Sequence, residues 1–259
     1  KMKKRILTTS LFAFLSLAGY AQKEECQSKA SLFVEAAKVK NYNEAYEPWK
    51  FVYDNCPELY QSTFLYGERI LRDKIQQGTD KAKYIKDLQE LYNKFHKYFP
   101  NKLTEGDLNI RQSGILIDYN LGTREELYNL LDKTFQLNKD LFTDDMIIYQ
   151  YFASAIDLYN EKKKTLQEIF DTYDNVSEII EEQNGKVSLT INELLPKEEA
   201  GTLTDKEKNQ LQVARTRVGN LKSISENVDS KLGQLADCSN LIPLYEKNYE
   251  ANKDNIEWL

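Results

Sequence analysis

The 259-residue sequence predicts an all-α fold: an α-solenoid of antiparallel helix pairs into which a long antiparallel, coiled-coil-like helical hairpin is inserted. Three observations lead there. The chain holds only 10 Gly and 5 Pro, has few β-branched runs, and is rich in Leu, Lys, Glu, Asn and Tyr, a composition of nearly pure helix. Ala45, Trp49 and Pro57 stand four and then eight residues apart, and Leu88, Tyr92 and Pro100 repeat that spacing. Finally, two apolar runs with steps of three and four residues, separated by a short loop, occupy the stretch from Lys162 to Leu235.

The chain opens Lys1-Met2-Lys3-Lys4-Arg5, continues uncharged from Ile6 to Ala18, and reaches a small-x-small site at Gly19-Tyr20-Ala21. A basic start, an apolar core and such a site make a secretory signal peptide over residues 1–21. The apolar run falls short of the roughly 20 residues that a membrane span needs; the alternative is an uncleaved anchor. No cysteine follows the cleavage site, which speaks against a lipoprotein anchor. The segment resembles bacterial export signals of the Bacteroidetes type. Cleavage removes Lys1, Lys3, Lys4 and Arg5 and no acid, moving the formal charge from −6 to about −10. An acidic export product is a poor nucleic-acid binder, and no later stretch is apolar enough to span a bilayer.

The stretch Ala30 to Pro57 has the pattern of two short amphipathic helices joined by a tight Asn41-Tyr42 turn and closed by proline. A small residue lets the helices approach, an aromatic one turn later fills the gap, and the proline ends the helix. The spacing of Ala45, Trp49 and Pro57 resembles the second half of a tetratricopeptide repeat. Thr63, Tyr66, Gly67 and Ile70 match the first-helix signature of that family, glycine included, whereas Lys29, Leu32, Phe33 and Ala36 keep its apolar spacing without the glycine. The resemblance is specific over residues 26–100 and architectural over 22–160. It implies a groove lined by the first helix of each pair, here Gln27, Ala30, Val34, Gln61, Phe64, Glu68 and Arg72.

Later pairs follow without the signature. Leu108 to Leu121 is expected to be helical, with Gly122 as its stop. Thr123-Arg124-Glu125-Glu126 is a capping box, and Thr143-Asp144-Asp145 opens another helix. Residues 161–236 form the expected hairpin: an arm from Lys162 to Leu195, a loop from Pro196 to Leu203, a capping box at Thr204-Asp205-Lys206-Glu207, and a second arm to Leu235. Each arm would run about 50 Å. Gly185 and Gly219 weaken a straight arm, and the alternative is two independent helices lying on the core. Residues 237–259 resume an apolar helical pattern up to Ile256-Glu257-Trp258-Leu259, the expected start of a further repeat in a longer protein.

Cys26, Cys56 and Cys238 are the only cysteines. Cys26 opens the first helix and Cys56 closes the second, so antiparallel packing sets them side by side. A disulfide there requires a Cα separation below about 7 Å. Cys238 is left over, with a partner beyond residue 259 as one possibility. His96 is the sole histidine, and no phosphate loop, Cys-x2-Cys, His-Glu-x2-His or EF-hand spacing occurs. The sequence therefore gives no catalytic, metal or cofactor residue. The expectation is a non-catalytic protein-binding scaffold, exported to the periplasm or cell surface of a Gram-negative bacterium, with protein partners in the envelope. A cell-wall or glycan-binding subunit and the N-terminal part of a larger helical enzyme are the alternatives.

Overall fold

The computed structural model describes residues 22–252, so the signal-peptide expectation for 1–21 and the apolar ending at Ile256 to Leu259 lie outside the described residues. The described chain is all-helical, without a strand. Its helices are α1 (22–38), α2 (Tyr42–Asn55), α3 (Ser62–Gln77), α4 (Lys81–Tyr98), α5 (Glu105–Tyr119), α6 (Arg124–Asn138), α7 (Asp145–Asn160), α8 (Leu166–Glu199), α9 (Asp205–Leu235) and α10 (Cys238–Asn252). None is long and apolar enough to cross a membrane. Two compact units divide the chain between Leu108 and Asn109.

In the first unit the recurrent spacing has a physical reason. Ala45 and Trp49 on α2, and Leu88 and Tyr92 on α4, are all buried where neighbouring helices meet. Pro57 and Pro100 each stand one residue past a helix C-cap, Cys56 and Phe99. Gly67 is the close-approach point: a Cβ there would lie 2.6 Å from both the Trp49 indole nitrogen and Leu91 Cδ1. The indole N–H of Trp49 donates to the Thr63 carbonyl at 2.8 Å, which fixes the ring over that glycine. Cys26 and Cys56 form a disulfide with Cα atoms 6.4 Å apart, tying the start of α1 to the end of α2.

In the second unit one apolar core joins α6, α7, α8 and α9. Leu131, Ile148, Tyr151, Phe152 and Ala155 pack with Ile169, Val176 and Ile179 of α8 and Leu221 and Val228 of α9. The boundary expected between residues 160 and 161 thus falls inside a continuous core, to which the hairpin contributes Ile169, Val176, Ile179, Ile180, Val187, Ala214, Leu221 and Val228.

The hairpin itself is present, and both arms run unbroken through Gly185 and Gly219. With 34 and 31 residues the arms are about 50 Å long. Polar rungs hold an antiparallel register from base to tip: Tyr173–Asp229, Gln183–Arg217 and Lys197–Glu207.

Its ends differ from the expected ones. The first arm starts at Leu166, after a full capping box between Thr165 and Glu168, because Lys162 is the left-handed residue (φ 60°) that terminates α7. It also passes through Pro196 and stops at Gly201 (φ 67°). There the Gly201 N–H reaches the Glu198 carbonyl and the Thr202 N–H reaches Lys197, a Schellman closure. Pro196 sits in the last exposed turns, where the carbonyl deprived of its donor can turn to water. The tip is therefore Ala200 to Leu203. Similarly, α5 is closed by Asn120 (φ 51°), whose successor Leu121 bonds back to Leu116, and not by Gly122. The capping box at Thr204 and the Asp144 cap of α7 are formed as expected.

Candidate binding surfaces

Two of the seven residues expected to line one groove are buried in the core. Phe64 is fully buried, stacked on Phe95 with centroids 5.0 Å apart and edge-on to Tyr53 and Phe99. Ala30 is 8% exposed and also packs inward. Both are core residues, because each lies on the side of its helix that faces the neighbouring helix. Gln27 and Arg72 are exposed, and Val34, Gln61 and Glu68 are half-buried. Arg72 is engaged by the Glu68 carboxylate at 3.1 Å and the Tyr92 hydroxyl at 3.2 Å, holding α3 to α4.

The first unit instead carries a groove between α1 and α2, about 780 Å³ in volume, that sequence reasoning missed. Ala36, Pro48 and Phe51 line it together with Leu32 (52% exposed) and Val39 (76% exposed). The available signal was the recurrence of Leu32, Ala36 and Val39 at steps of four and three on a stripe of α1 beside that of the buried Phe33 and Ala37.

On the second unit two shallow depressions follow α9. The distal one, about 320 Å³, lies between the arms and is lined by Val187, Thr190, Gln210, Val213 and Ala214. Val213 stays 57% exposed beside it. The other, about 380 Å³, lies between α7 and α9 at Met146, Tyr149, Asn220 and Ile224. Between them sits a polar node. Arg217 donates to the Gln183 amide oxygen at 3.0 Å, and Asn220 donates to Asp145 at 2.9 Å. The Arg217 Nε faces Asp145 Oδ1 at 3.9 Å, and both atoms are buried without a hydrogen bond.

The remaining titratable clusters are structural in geometry. Asp132 accepts from the hydroxyls of Tyr128 and Tyr151, and Asn175 donates to Tyr151. Burial, reinforced by Asp132, pushes the Tyr151 phenol far above its ordinary range, so it stays a donor. His96 Nδ1 lies 2.8 Å from the Leu103 carbonyl, so that nitrogen carries the proton and ties the α4–α5 link. Lys139 is held protonated by Glu178 and Glu182 across to α8. Among the described residues no group of three or more His, Cys, Asp or Glu side chains could hold a metal ion. Cys238 is exposed and unpaired among them. No protein-family model matches the chain, and neither the curated proteins nor the solved structures contain a significant match to it.

Proposed function

We propose that this chain is a non-catalytic scaffold of tetratricopeptide-like helix pairs, exported to the envelope of a Gram-negative bacterium, where it holds protein partners. The observation that carries the reading is the distal third of the α8–α9 hairpin. The unit's main core ends at Val187 and Ala214, and about 18 Å of α8 and about 14 Å of α9 continue past it. That extension buries Leu194 and Leu211 between the arms, yet leaves Leu189 and Val213 largely exposed. An exposed apolar spot on a long, register-locked arm is costly to keep in water and gains its value when covered by another protein. The Gly67 close approach and the buried Ala45–Trp49 and Leu88–Tyr92 pairs support the repeat resemblance, and the Cys26–Cys56 bridge suits an oxidising compartment.

The test places a photocrosslinking residue at Leu189, and separately at Val213, in the full chain expressed in its own envelope. Recovery of one protein partner at both positions, lost when Val213→Asp is combined with the Leu189 probe, is the expected result. Crosslinks to glycan strands alone would move the assignment to a cell-wall-binding subunit.

A further inference from the structure

We infer that the α1–α2 groove is a docking site for a short amphipathic helix that carries basic residues at one end. The inference is independent of the hairpin reading, since it rests on a surface of the other unit. Two antiparallel helices leave between them a furrow into which the ridge of a third helix nests, and no sheet edge is present among the described residues to take an extended strand. The furrow runs from Lys29 to Val39, about 15 Å along α1, which matches roughly three turns of helix. Leu32, Ala36 and Val39 fall on one stripe, so the complementary partner has its own apolar residues at steps of three and four.

The charges around the furrow give that partner a polarity. Where α1 ends and α2 begins, the lining includes Glu35, Glu44 and Glu47, and none of the three is in an ion pair among the described residues. The Asn41 amide donates to the Glu44 carboxylate at 2.6 Å, and the Asn41 side-chain oxygen accepts from the Glu44 backbone N–H. Lys38 and Lys40 are nearby in sequence but do not line the groove. Pro48 adds to the same end: it has no N–H, so the Glu44 carbonyl one turn earlier lacks its helical donor. At the opposite end the charges are already satisfied. Lys50 is paired with Asp54 at 2.6 Å, and Lys29 lies over the Phe51 ring. One end of an apolar furrow therefore presents three carboxylates with no ion pair among the described residues, while the other is close to neutral. That asymmetry fits a helix with Lys or Arg in one terminal turn.

The experiment uses the full chain after signal removal and two synthetic 14-residue helical peptides with the same apolar stripe. One ends in a Lys/Arg turn, the other in a Glu turn, and binding is read by fluorescence anisotropy. The basic-ended peptide is expected to bind at least tenfold more tightly. Val39→Asp should abolish its binding, with an unchanged circular dichroism spectrum because Val39 is exposed, and Val213→Asp should leave it unaltered. Glu44→Lys combined with Glu47→Lys should erase the preference. Because the whole chain is acidic, a preference that survives that double substitution overturns the site, as does equal binding of the two peptides. Self-association removed by Val39→Asp, with no peptide bound, would also overturn it and give the groove to a second copy.

Discussion

Removing the Cys26–Cys56 bridge gives a quantity that follows from chain geometry alone. The disulfide closes a loop spanning 30 residues, from Cys26 through the rest of α1, its turn and α2. The chain-entropy relation for a loop of that length gives about 3.6 kcal/mol at 25 °C, lost when the link is absent. Both cysteines are buried, so Cys26→Ala with Cys56→Ala leaves small apolar side chains and no stranded hydroxyl. The reporter is Trp49, buried between α2 and α3 and hydrogen-bonded to Thr63. The chain's other tryptophan is replaced (Trp258→Phe), and Trp49 emission is followed through a urea titration. For a unit with a urea slope of about 1.5–2 kcal/mol/M, the midpoint should fall by about 2 M. Dithiothreitol should bring the bridged protein to the same midpoint. Two free thiols titrating at Cys26 and Cys56 in oxidatively folded protein would refute the reasoning, as would a midpoint unmoved by the double substitution.

Glycines at two kinds of position should respond oppositely. Gly67→Ala puts a methyl 2.6 Å from a hydrogen-bonded indole, so the roughly 1–3 kcal/mol of overpacking should outweigh the gain in helix propensity and lower the Trp49 midpoint. Gly185→Ala and Gly219→Ala meet nothing within 4 Å and should each stabilise the hairpin by about 0.5–1 kcal/mol, read as a higher thermal midpoint. Phe64→Ala should cost about 3–5 kcal/mol, read by the Trp49 midpoint, whereas a groove residue would cost little. Glu207 is drawn down to about 2 by Lys197 and by the Thr204 cap. Its depressed folded value means that its support for the hairpin tip is complete above the ordinary glutamate range and disappears as pH falls from there through about 2. Carboxyl NMR titration should show this, with Lys197→Met shifting Glu207 upward.

The pattern that was legible in the sequence is the part set by side-chain periodicity. Ala45 with Trp49 and Leu88 with Tyr92 announced buried helix faces, and all four are buried; the hairpin's steps of three and four announced paired arms, which bury Ile169, Val176, Leu194, Leu211, Leu221 and Val228 and half-bury Tyr173, Ile191 and Val218. Helix ends were less legible because this chain does not reserve its left-handed positions for glycine. Lys40, Asn120 and Lys162 all take positive φ at helix ends, each followed by a residue whose N–H bonds back five positions. A lysine there carries no sequence signal, whereas Gly122 and Pro196 suggested stops that the backbone places elsewhere. The burial of Phe64, expected in a groove, was hidden for another reason. Which side of α3 faces inward depends on α4, and the stacking of Phe64 on Phe95 joins residues 31 apart, a long-range fact that local spacing does not contain.

The same distinction bears on where partners should be sought. In a helical array, periodicity identifies the faces that must be buried by the chain's own neighbours, so residues with that signature are poor candidates for a binding site. The candidates are apolar residues that repeat on a helix after its inward face has been accounted for. On α1, Phe33 and Ala37 satisfy the core, and Leu32, Ala36 and Val39 remain; on α9, Leu211, Ala214 and Leu221 satisfy it, and Val213 remains. A second apolar stripe is not needed to fold the pair and adds a desolvation gain only when something else covers it. Helix α1 has such a stripe, and Glu35 with Glu44 and Glu47 of α2 adds carboxylates without an ion pair among the described residues at one end, while the α8–α9 arms add a register fixed by polar rungs on either side of the exposed residue. The two surfaces thus differ in what they select: charge polarity in the first, and a rigid presentation at a distance from the core in the second.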